Sequence, residues 1–202
     1  MRKLLAIFIL VLLAPLAFGN SNTANSGAGT DGLGGGAAWI NPNNITVSGQ
    51  RASSAIAKSS FSNNLFCETF GFSVPGTATI IGISAVVSKS VAGGASLLDN
   101  GIFLLKAGAA AGTDHSAGDW AANSNYGGGT DLWGAVLVPA DVNAAGFGIS
   151  MSAANPDSSF SHTAYVNAFV SMTVTFTMPS NMGRRPIIQY SQTRSTGIKG
   201  GR

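Results

Sequence analysis

The segment from Thr163 to Thr177 alternates apolar and polar side chains with a period of two residues. One side of this alternation carries Val166, Ala168, Val170, Met172, Val174 and Phe176, and the other carries Asn167, Phe169, Ser171, Thr173, Thr175 and Thr177. Successive side chains of a β-strand point to opposite faces, so the pattern predicts one long strand. A strand that is apolar on one face only is typical of an antiparallel sheet covered on one side.

Other segments repeat this pattern on a shorter scale. Thr77 to Val87 predicts a strand in which Ile81 and Ile83 share a core face, with Gly82 marking a close packing approach. The turn signal Asp99-Asn100-Gly101 precedes the apolar run 102–105 and predicts a hairpin. Seven to nine short strands with turn signals between them predict an all-β fold, an antiparallel β-sandwich of jelly-roll-like size.

The composition is typical of a folded extracellular chain. Hydrophobic residues make up 45% of the chain and charged residues only 9%, and there are 27 glycines. Disordered chains are usually polar and highly charged, so the central part is expected to fold. The stretch 20–179 carries four basic and eight acidic residues, whereas 180–202 carries five basic residues and no acid. The excess of positive charge therefore lies at the two ends of the chain. Residues 20–179, which carry more acidic than basic residues, do not predict nucleic-acid binding.

The N-terminus predicts export. Arg2 and Lys3 precede an apolar run from Leu4 to Phe18, and small residues around Gly19 suit signal peptidase, so residues 1–19 are interpreted as a signal peptide cleaved before Asn20. The run is shorter than the roughly 20 residues of a spanning helix, so no membrane span is expected after cleavage. An uncleaved N-terminal anchor is the alternative.

Composition divides the rest of the chain into three parts. Residues 20–38, rich in Gly, Ser and Asn, predict a flexible linker. Residues 39–178 form the predicted β-sandwich domain, and 179–202 form a basic flexible tail. Within the tail, Pro186 to Tyr190 could add a strand to the sheet edge of a neighbouring subunit; a solvated tail is the alternative.

A long polar segment, 107–131, is the first candidate for a binding site, because long loops in compact domains are often functional. His115, Trp120, Asn123 and Tyr126 lie in it, and exposed aromatic rings with amides around them suit a sugar ligand. Trp120 is predicted to be partly exposed. The segment ends at a Gly-rich corner, 126–134, where Tyr126 and Trp133 could instead be core residues.

Aspartates in the same region suggest a second kind of site. Extracellular β-sandwiches can hold Ca²⁺ with loop oxygens, and Asp114, Asp119 and Asp131 are candidate ligands. Asp141 and Asn143 are further candidates, although no spacing among them is diagnostic. The alternative is that these side chains cap turns, with Asp131 accepting backbone N–H groups.

The sequence does not predict an enzyme. His115 is adjacent to Asp114 and Ser116, but a nucleophilic triad depends on spatial roles rather than on adjacency. Glu68 is the sole glutamate, so paired carboxylates for glycoside hydrolysis are not indicated. Cys67 is alone, which precludes an intramolecular disulfide, and we expect it to be a buried small apolar side chain.

Several motifs of the body occur together in one known group of domains. They are Trp39-Ile-Asn-Pro-Asn-Asn, Phe70-Gly-Phe-Ser-Val-Pro, Thr79-Ile-Ile-Gly-Ile, Tyr126-Gly-Gly-Gly-Thr-Asp-Leu-Trp-Gly, Pro139-Ala-Asp-Val-Asn and Gly146-Phe-Gly-Ile-Ser-Met-Ser-Ala-Ala-Asn. Over about residues 39–177 the chain resembles poorly characterised β-sandwich domains of bacteriophage structural or tail-associated proteins and of bacterial surface proteins. The resemblance implies a fold and a structural role, and it implies no site residues.

The sequence thus predicts a non-enzymatic, exported structural or adhesive component of a cell surface or virion. Its expected partners are other surface or virion subunits, including further copies of itself, or glycans. The alternative is a secreted carbohydrate-binding module that uses the 107–131 segment. No cofactor is indicated apart from the calcium ion considered above.

Overall fold

A computed structural model describes residues 19–120 and 123–179 of the 202-residue chain. The predicted signal peptide, apart from Gly19, and the predicted tail, apart from Pro179, lie outside this range. No helix among the residues described is long and apolar enough to cross a membrane.

The described chain consists mainly of strands. They are β1 (Gly19–Asn25), β2 (Ala28–Gly32), β3 (Arg51–Ile56), β4 (Ser60–Phe61), β5 (Asn64–Glu68), β6 (Thr79–Val91), β7 (Leu98–Lys106), β8 (Ala109–Ala111), β9 (Asn123–Gly128), β10 (Gly148–Asn155), β11 (His162–Asn167) and β12 (Ser171–Thr177). Helical turns are short: α1 covers Pro139–Val142, and two 3₁₀ helices cover Pro42–Thr46 and Ala92–Gly94. The all-β prediction is confirmed, and twelve strands are described where seven to nine were expected.

The first sheet is built around β6. The strands β12 and β9 pair antiparallel with overlapping parts of β6, so they flank it on opposite edges. β11 pairs with its last residues, Lys89–Val91. β1 pairs with β12 along its whole length, and β3 pairs with β11. Every pairing in this sheet is antiparallel, as the alternation predicts.

The second sheet has the order β2-β5-β10-β7-β8, with β4 paired to the end of β10. Its pairings are antiparallel too. Side chains of both sheets meet in one hydrophobic core, which includes Ile83 and Met172 from the first sheet and Leu104 and Ile149 from the second. Two antiparallel sheets therefore enclose the buried interior.

The long predicted strand 163–177 is divided into β11 and β12. Ala168 lies between them, and its N–H donates to the carbonyl oxygen of Gln50 instead of continuing the ladder with β6. The alternation itself holds, because Val166, Val170 and Met172 are all buried. The prediction of an apolar core face is correct, and that of an uninterrupted strand is wrong.

The prediction of a flexible linker over 20–38 is wrong. Residues 20–25 of this segment lie in β1 and residues 28–32 form β2. These two strands pair with β12 and β5, respectively. The prediction rested on the lack of large side chains, whereas an edge strand is held mainly by backbone hydrogen bonds. Small size is also required here, because a Cβ on Gly29 would lie 2.2 Å from the carbonyl oxygen of Pro42.

Two bulges change the predicted facing of residues. Between Gly82 and Ile80 the register with β12 shifts, so Ile80 is buried and Ile81 is only partly covered. A second shift lies opposite Ser152, where Asn100 is the extra residue. The predicted turn Asp99-Asn100-Gly101 is thus part of β7, and the prediction of a hairpin there is wrong. A bulge inserts one residue without ending the strand, which local turn chemistry does not reveal.

Candidate functional site

The segment 107–131 is not one loop. It contains all of β8 and β9. Just before its two undescribed residues, it is bonded to the start of β7. Trp120 N–H donates to the Leu97 carbonyl oxygen at 2.8 Å, and Asp119 forms a β-bridge with Leu98. Trp120 is 0% exposed, so the prediction of a partly exposed ring is wrong. A large apolar ring following a polar stretch is drawn into the core because burial removes its surface from water.

The two aromatic residues proposed for a sugar platform are both interior. The indole N–H of Trp120 donates to the Tyr165 carbonyl oxygen at 3.2 Å, and its ring centroid lies 6.0 Å from that of Trp39. Tyr126 is 2% exposed, as the alternative core interpretation predicts. Asn123, at the start of β9, is exposed. The structure therefore does not bring the four predicted ligand residues together on the surface.

Tyr126 belongs to a buried polar cluster. Lys89 Nζ donates to Asp99 Oδ1 and to the Tyr126 hydroxyl, each at 2.5 Å. The Tyr126 hydroxyl donates to Asp99 Oδ2 at 2.8 Å, and the N–H of Ala117 donates to the same oxygen. Lys89 Nζ also lies 4.8 Å from the centroid of the Trp120 ring. An ionisable pair is thereby enclosed in the core of the protein.

Burial decides the electrostatics of this cluster. Desolvation lowers the pKa of Lys89, and the hydrogen bond and charge of Asp99 oppose that effect. Desolvation likewise raises the pKa of the Tyr126 phenol above its ordinary range. The low dielectric around the cluster therefore favours neutral forms of both groups.

Lys89 and Asp99 are not among the residues that the sequence patterns indicated as a site. The sequence does contain an indication of Lys89. Ala85 and Val87 point inward in β6, and Lys89, two residues further on, points to the same side. An inward lysine on an apolar strand face needs an acidic partner. Which aspartate serves it depends on the pairing of β7, which is not a local property.

A second cluster lies at the surface around His115. Its Nε2 is 2.8 Å from Asp131 Oδ2, its Nδ1 is 3.1 Å from the Thr113 carbonyl oxygen, and its ring stacks on Trp133 with centroids 4.0 Å apart. Trp133 is fully buried, and its indole N–H donates to the Ile83 carbonyl oxygen. The cluster closes the Gly-rich corner, which agrees with the structural interpretation of that motif.

Two of the three carboxylates predicted as calcium ligands, those of Asp114 and Asp131, accept hydrogen bonds from protein donors. Asp114 Oδ1 accepts from the N–H of Ile102, the N–H of Ser116 and the Ser116 hydroxyl. Asp131 Oδ1 accepts the N–H of Trp133 at 2.7 Å. For these two aspartates the bonds match the turn-capping alternative. No group of three or more His, Cys, Asp or Glu side chains suited to a metal is found in the described ranges. Calcium binding remains a prediction.

Cys67 lies on the core side of β5, as predicted, and is 0% exposed. Desolvation by burial, with a smaller contribution from Glu68, raises the pKa of its thiol far above the ordinary value. A thiol that stays protonated and inaccessible is a poor nucleophile.

A surface depression lies beside the junction of β11 and β12. Its volume is about 440 Å³, and it is lined by Gly49, Gln50, Arg51, Asn167 and Ala168. The Arg51 guanidinium lies 3.7 Å from the centroid of the Tyr165 ring, next to this depression. Amide, guanidinium and aromatic groups thus meet at one place, which sequence reasoning did not single out because the residues come from two distant segments.

The outward positions of β1, β12, β6 and β9 form a broad polar face, here called the hydroxyl-amide face. It comprises Ser21, Thr23, Asn25, Ser171, Thr173, Thr175, Thr177, Ser84, Val86, Ser88, Asn123, Asn125 and Gly127. None of these side chains is charged. The hydroxyls of Thr23 and Thr173 are bonded to each other across the strands at 2.8 Å.

Comparison with known proteins yields no match: no family model fits the chain, and no curated protein and no solved structure is similar to it.

Proposed function

We propose that this protein is an exported, non-enzymatic structural or adhesive component of a cell surface or virion. The observation that carries the proposal is the hydroxyl-amide face. Charged side chains repel like-charged neighbours and hold water strongly, whereas hydroxyl and amide groups exchange hydrogen bonds with water for those of a partner at modest cost. Such a face suits lasting contact with another uncharged polar surface, either a further subunit or a glycan layer.

The arrangement of strands supports a jelly roll for this component. The pairs β1·β12, β5·β10, β6·β9 and β7·β8 are those of a long antiparallel hairpin wrapped into two sheets. Jelly rolls recur in viral capsid and lectin domains, where two packed sheets offer faces for assembly and binding. The remaining strands β2, β3, β4 and β11 are then additions to these eight.

Cell fractionation tests the proposal. The full-length chain, expressed with an epitope tag in a bacterium that exports it, should be recovered with surface or particle fractions. The variant Thr173→Lys with Thr175→Lys adds two charges to the hydroxyl-amide face and should release at least ten times more protein into the medium. A strictly monomeric protein found free in the medium, bound to no cell or particle, would refute the proposal.

A carbohydrate-binding module is the second candidate, and the depression beside Arg51 favours it. Gln50 and Asn167 offer amide groups that can pair with sugar hydroxyls, and Arg51 adds a charged donor. Burial of Trp120 and Tyr126 removes the platform predicted in the 107–131 segment. A sugar ligand would instead contact the depression.

The effect of substitutions on glycan-array binding separates the depression from the hydroxyl-amide face, which contains Asn125, as the surface that contacts glycans. If the depression binds a glycan, Gln50→Ala with Asn167→Ala should abolish the signal. Asn125→Ala, which removes an exposed amide from β9, should leave the signal unchanged. Signal that survives the double substitution would exclude the depression as the binding site.

A further inference from the structure

The buried cluster around Lys89 places an amine and a carboxyl group in contact within a sealed space. The side chains of Lys89 and Asp99 are 0% and 1% exposed, and their N–O distance is 2.5 Å. By contrast, the side chains of the pair formed by Lys106 and Asp141 are 39% and 19% exposed. Water can solvate the second pair but not the first.

We propose that Lys89 and Asp99 join in an intramolecular isopeptide bond, formed by the folded protein itself. The bond would link Nζ of Lys89 on β6 to Cγ of Asp99 on β7. Because β6 belongs to the first sheet and β7 to the second, the link would tie the two sheets together covalently. The proposal rests on the buried cluster alone and is independent of the proposed surface function.

The reaction is a condensation that balances without a co-reactant. The amine lone pair forms the C–N bond to Cγ, one C–O bond of the carboxyl group breaks, and one water molecule leaves. No electron is gained or lost overall. Contact between the two groups in a fixed arrangement replaces the bimolecular encounter that makes the same condensation slow in solution.

The reacting forms are the neutral amine and the neutral acid, so one proton must first pass from Lys89 to Asp99. Burial favours this transfer because two neutral groups are easier to enclose than two ions. The lowered pKa of Lys89 has the same physical origin. The amine can then attack as a nucleophile, as buried lysines do in covalent catalysis.

Tyr126 is placed to act as the catalytic proton carrier. Its hydroxyl contacts Lys89 Nζ on one side and Asp99 Oδ2 on the other. A hydroxyl both donates and accepts, so it can take a proton from the attacking amine and deliver one to the departing oxygen. Trp120 covers the cluster, with its ring within cation–π distance of Nζ.

A covalent link would give this chain a cross-link between its two sheets. Cys67 is the sole cysteine, so this chain cannot form an internal disulfide. A cross-link between buried groups would resist reduction and would hold the sheets together under load.

Mass spectrometry of the purified, denatured chain tests the proposal. Trypsin cleaves after Lys58, Lys89 and Lys106, with no other basic residue between these positions. An acylated Lys89 resists trypsin, so the fragment 59–106 should appear intact and lighter by one water molecule. Appearance of the separate fragments 59–89 and 90–106 at full mass would overturn the proposal.

Variants identify the two residues that form the bond. They also show whether dehydration elsewhere in the chain causes the loss of mass. Lys89→Arg keeps the buried ion pair but offers no amine, so the water loss should vanish. Asp99→Asn should yield the same cross-linked product as the wild type, with ammonia leaving instead of water. Lys106→Arg, in the exposed pair, should keep the cross-link. Water loss that persists in Lys89→Arg would place the dehydration elsewhere and overturn the proposal.

The rate at which the cross-link forms tests the role of Tyr126. In Tyr126→Phe the cross-link should form at least ten times more slowly after synthesis, as followed by pulse-chase labelling and digestion, while far-ultraviolet circular dichroism shows the same β-sheet content. An unchanged rate in this variant would refute the proton-carrier role.

Discussion

At residue 133 the backbone adopts a left-handed conformation, with φ at 58°, which a tryptophan rarely adopts. Three contacts hold it there: Asp131 accepts the N–H of Trp133, His115 stacks on the ring, and the indole N–H bonds to the carbonyl oxygen of Ile83. Side-chain contacts therefore help to stabilise the corner motif, and the aspartate in it has a structural role.

Replacing Asp131 should weaken the fold measurably. Asp131→Ala removes the acceptor for the Trp133 N–H and should lower the free energy of unfolding by about 1 kcal/mol. Asp131→Asn keeps an oxygen at that position and should lose less. Urea unfolding followed by tryptophan fluorescence measures both values. An alanine variant as stable as the wild type would contradict the role assigned to Asp131.

At the scale of elements, the first sheet depends on a close crossing at Gly82. A Cβ there would lie 2.2 Å from the carbonyl carbon of Gly129, closer than any real contact. The chain after β9 therefore passes directly over β6 at this point. A glycine between two isoleucines predicts a close approach at Gly82, and the structure shows that the segment around Gly129 makes it.

Gly82→Ala should accordingly destabilise the protein by about 2 kcal/mol or more, because the crossing segment must move. Gly128→Ala is the matched control, since a Cβ there meets nothing within 4 Å. The control should change stability by less than about 0.5 kcal/mol. Thermal unfolding of the two variants provides the comparison, and equal melting temperatures would disprove the crossing.

At the scale of the whole molecule, stability should fall in acid. Backbone N–H groups of Trp133, Val138 and Ser159 lower the pKa values of Asp131, Asp141 and Asp157, respectively, below the ordinary 3.8. A lowered folded-state pKa adds stability above the unfolded value, and that stability is lost as the pH falls through the folded pKa. Glu68 acts in the opposite direction, because burial raises its pKa.

The urea midpoint should therefore be lower at pH 2.5 than at pH 6, these pH values lying on either side of about 4. Asp157→Asn, which removes one of the three carboxylates, should reduce the difference between the two midpoints. A midpoint that stays constant or rises on acidification would show that the three aspartates are not the controlling groups.

Much of the fold could be predicted because the alternation of apolar and polar side chains along a strand is a local property of the sequence. The inward positions Val166, Met172 and Val174 follow from a period of two, whatever the strand pairs with. The burial of Cys67, two residues after the buried Leu65, follows from the same rule. The all-β fold was predictable for this reason.

Pairing and packing were decided by tertiary structure. Segment 20–38 carries little apolar surface, yet β12 and β5 offer it free backbone partners. The bulge at Ile81 and the continuation of β7 through Asp99 depend on neighbouring strands that lie far away in sequence. Trp120 is buried because β7 and Trp39 provide an apolar site for its ring.

The candidate site shows the same division. The period of two in β6 by itself places Lys89 on the face of Ala85 and Val87, where a buried unpaired charge is too costly. Only the meeting of β6 with β7 selected Asp99 as that partner and brought Tyr126 against both. Local patterns set which face a side chain takes, whereas chemistry between two side chains requires the long-range pairing that the folded chain alone supplies.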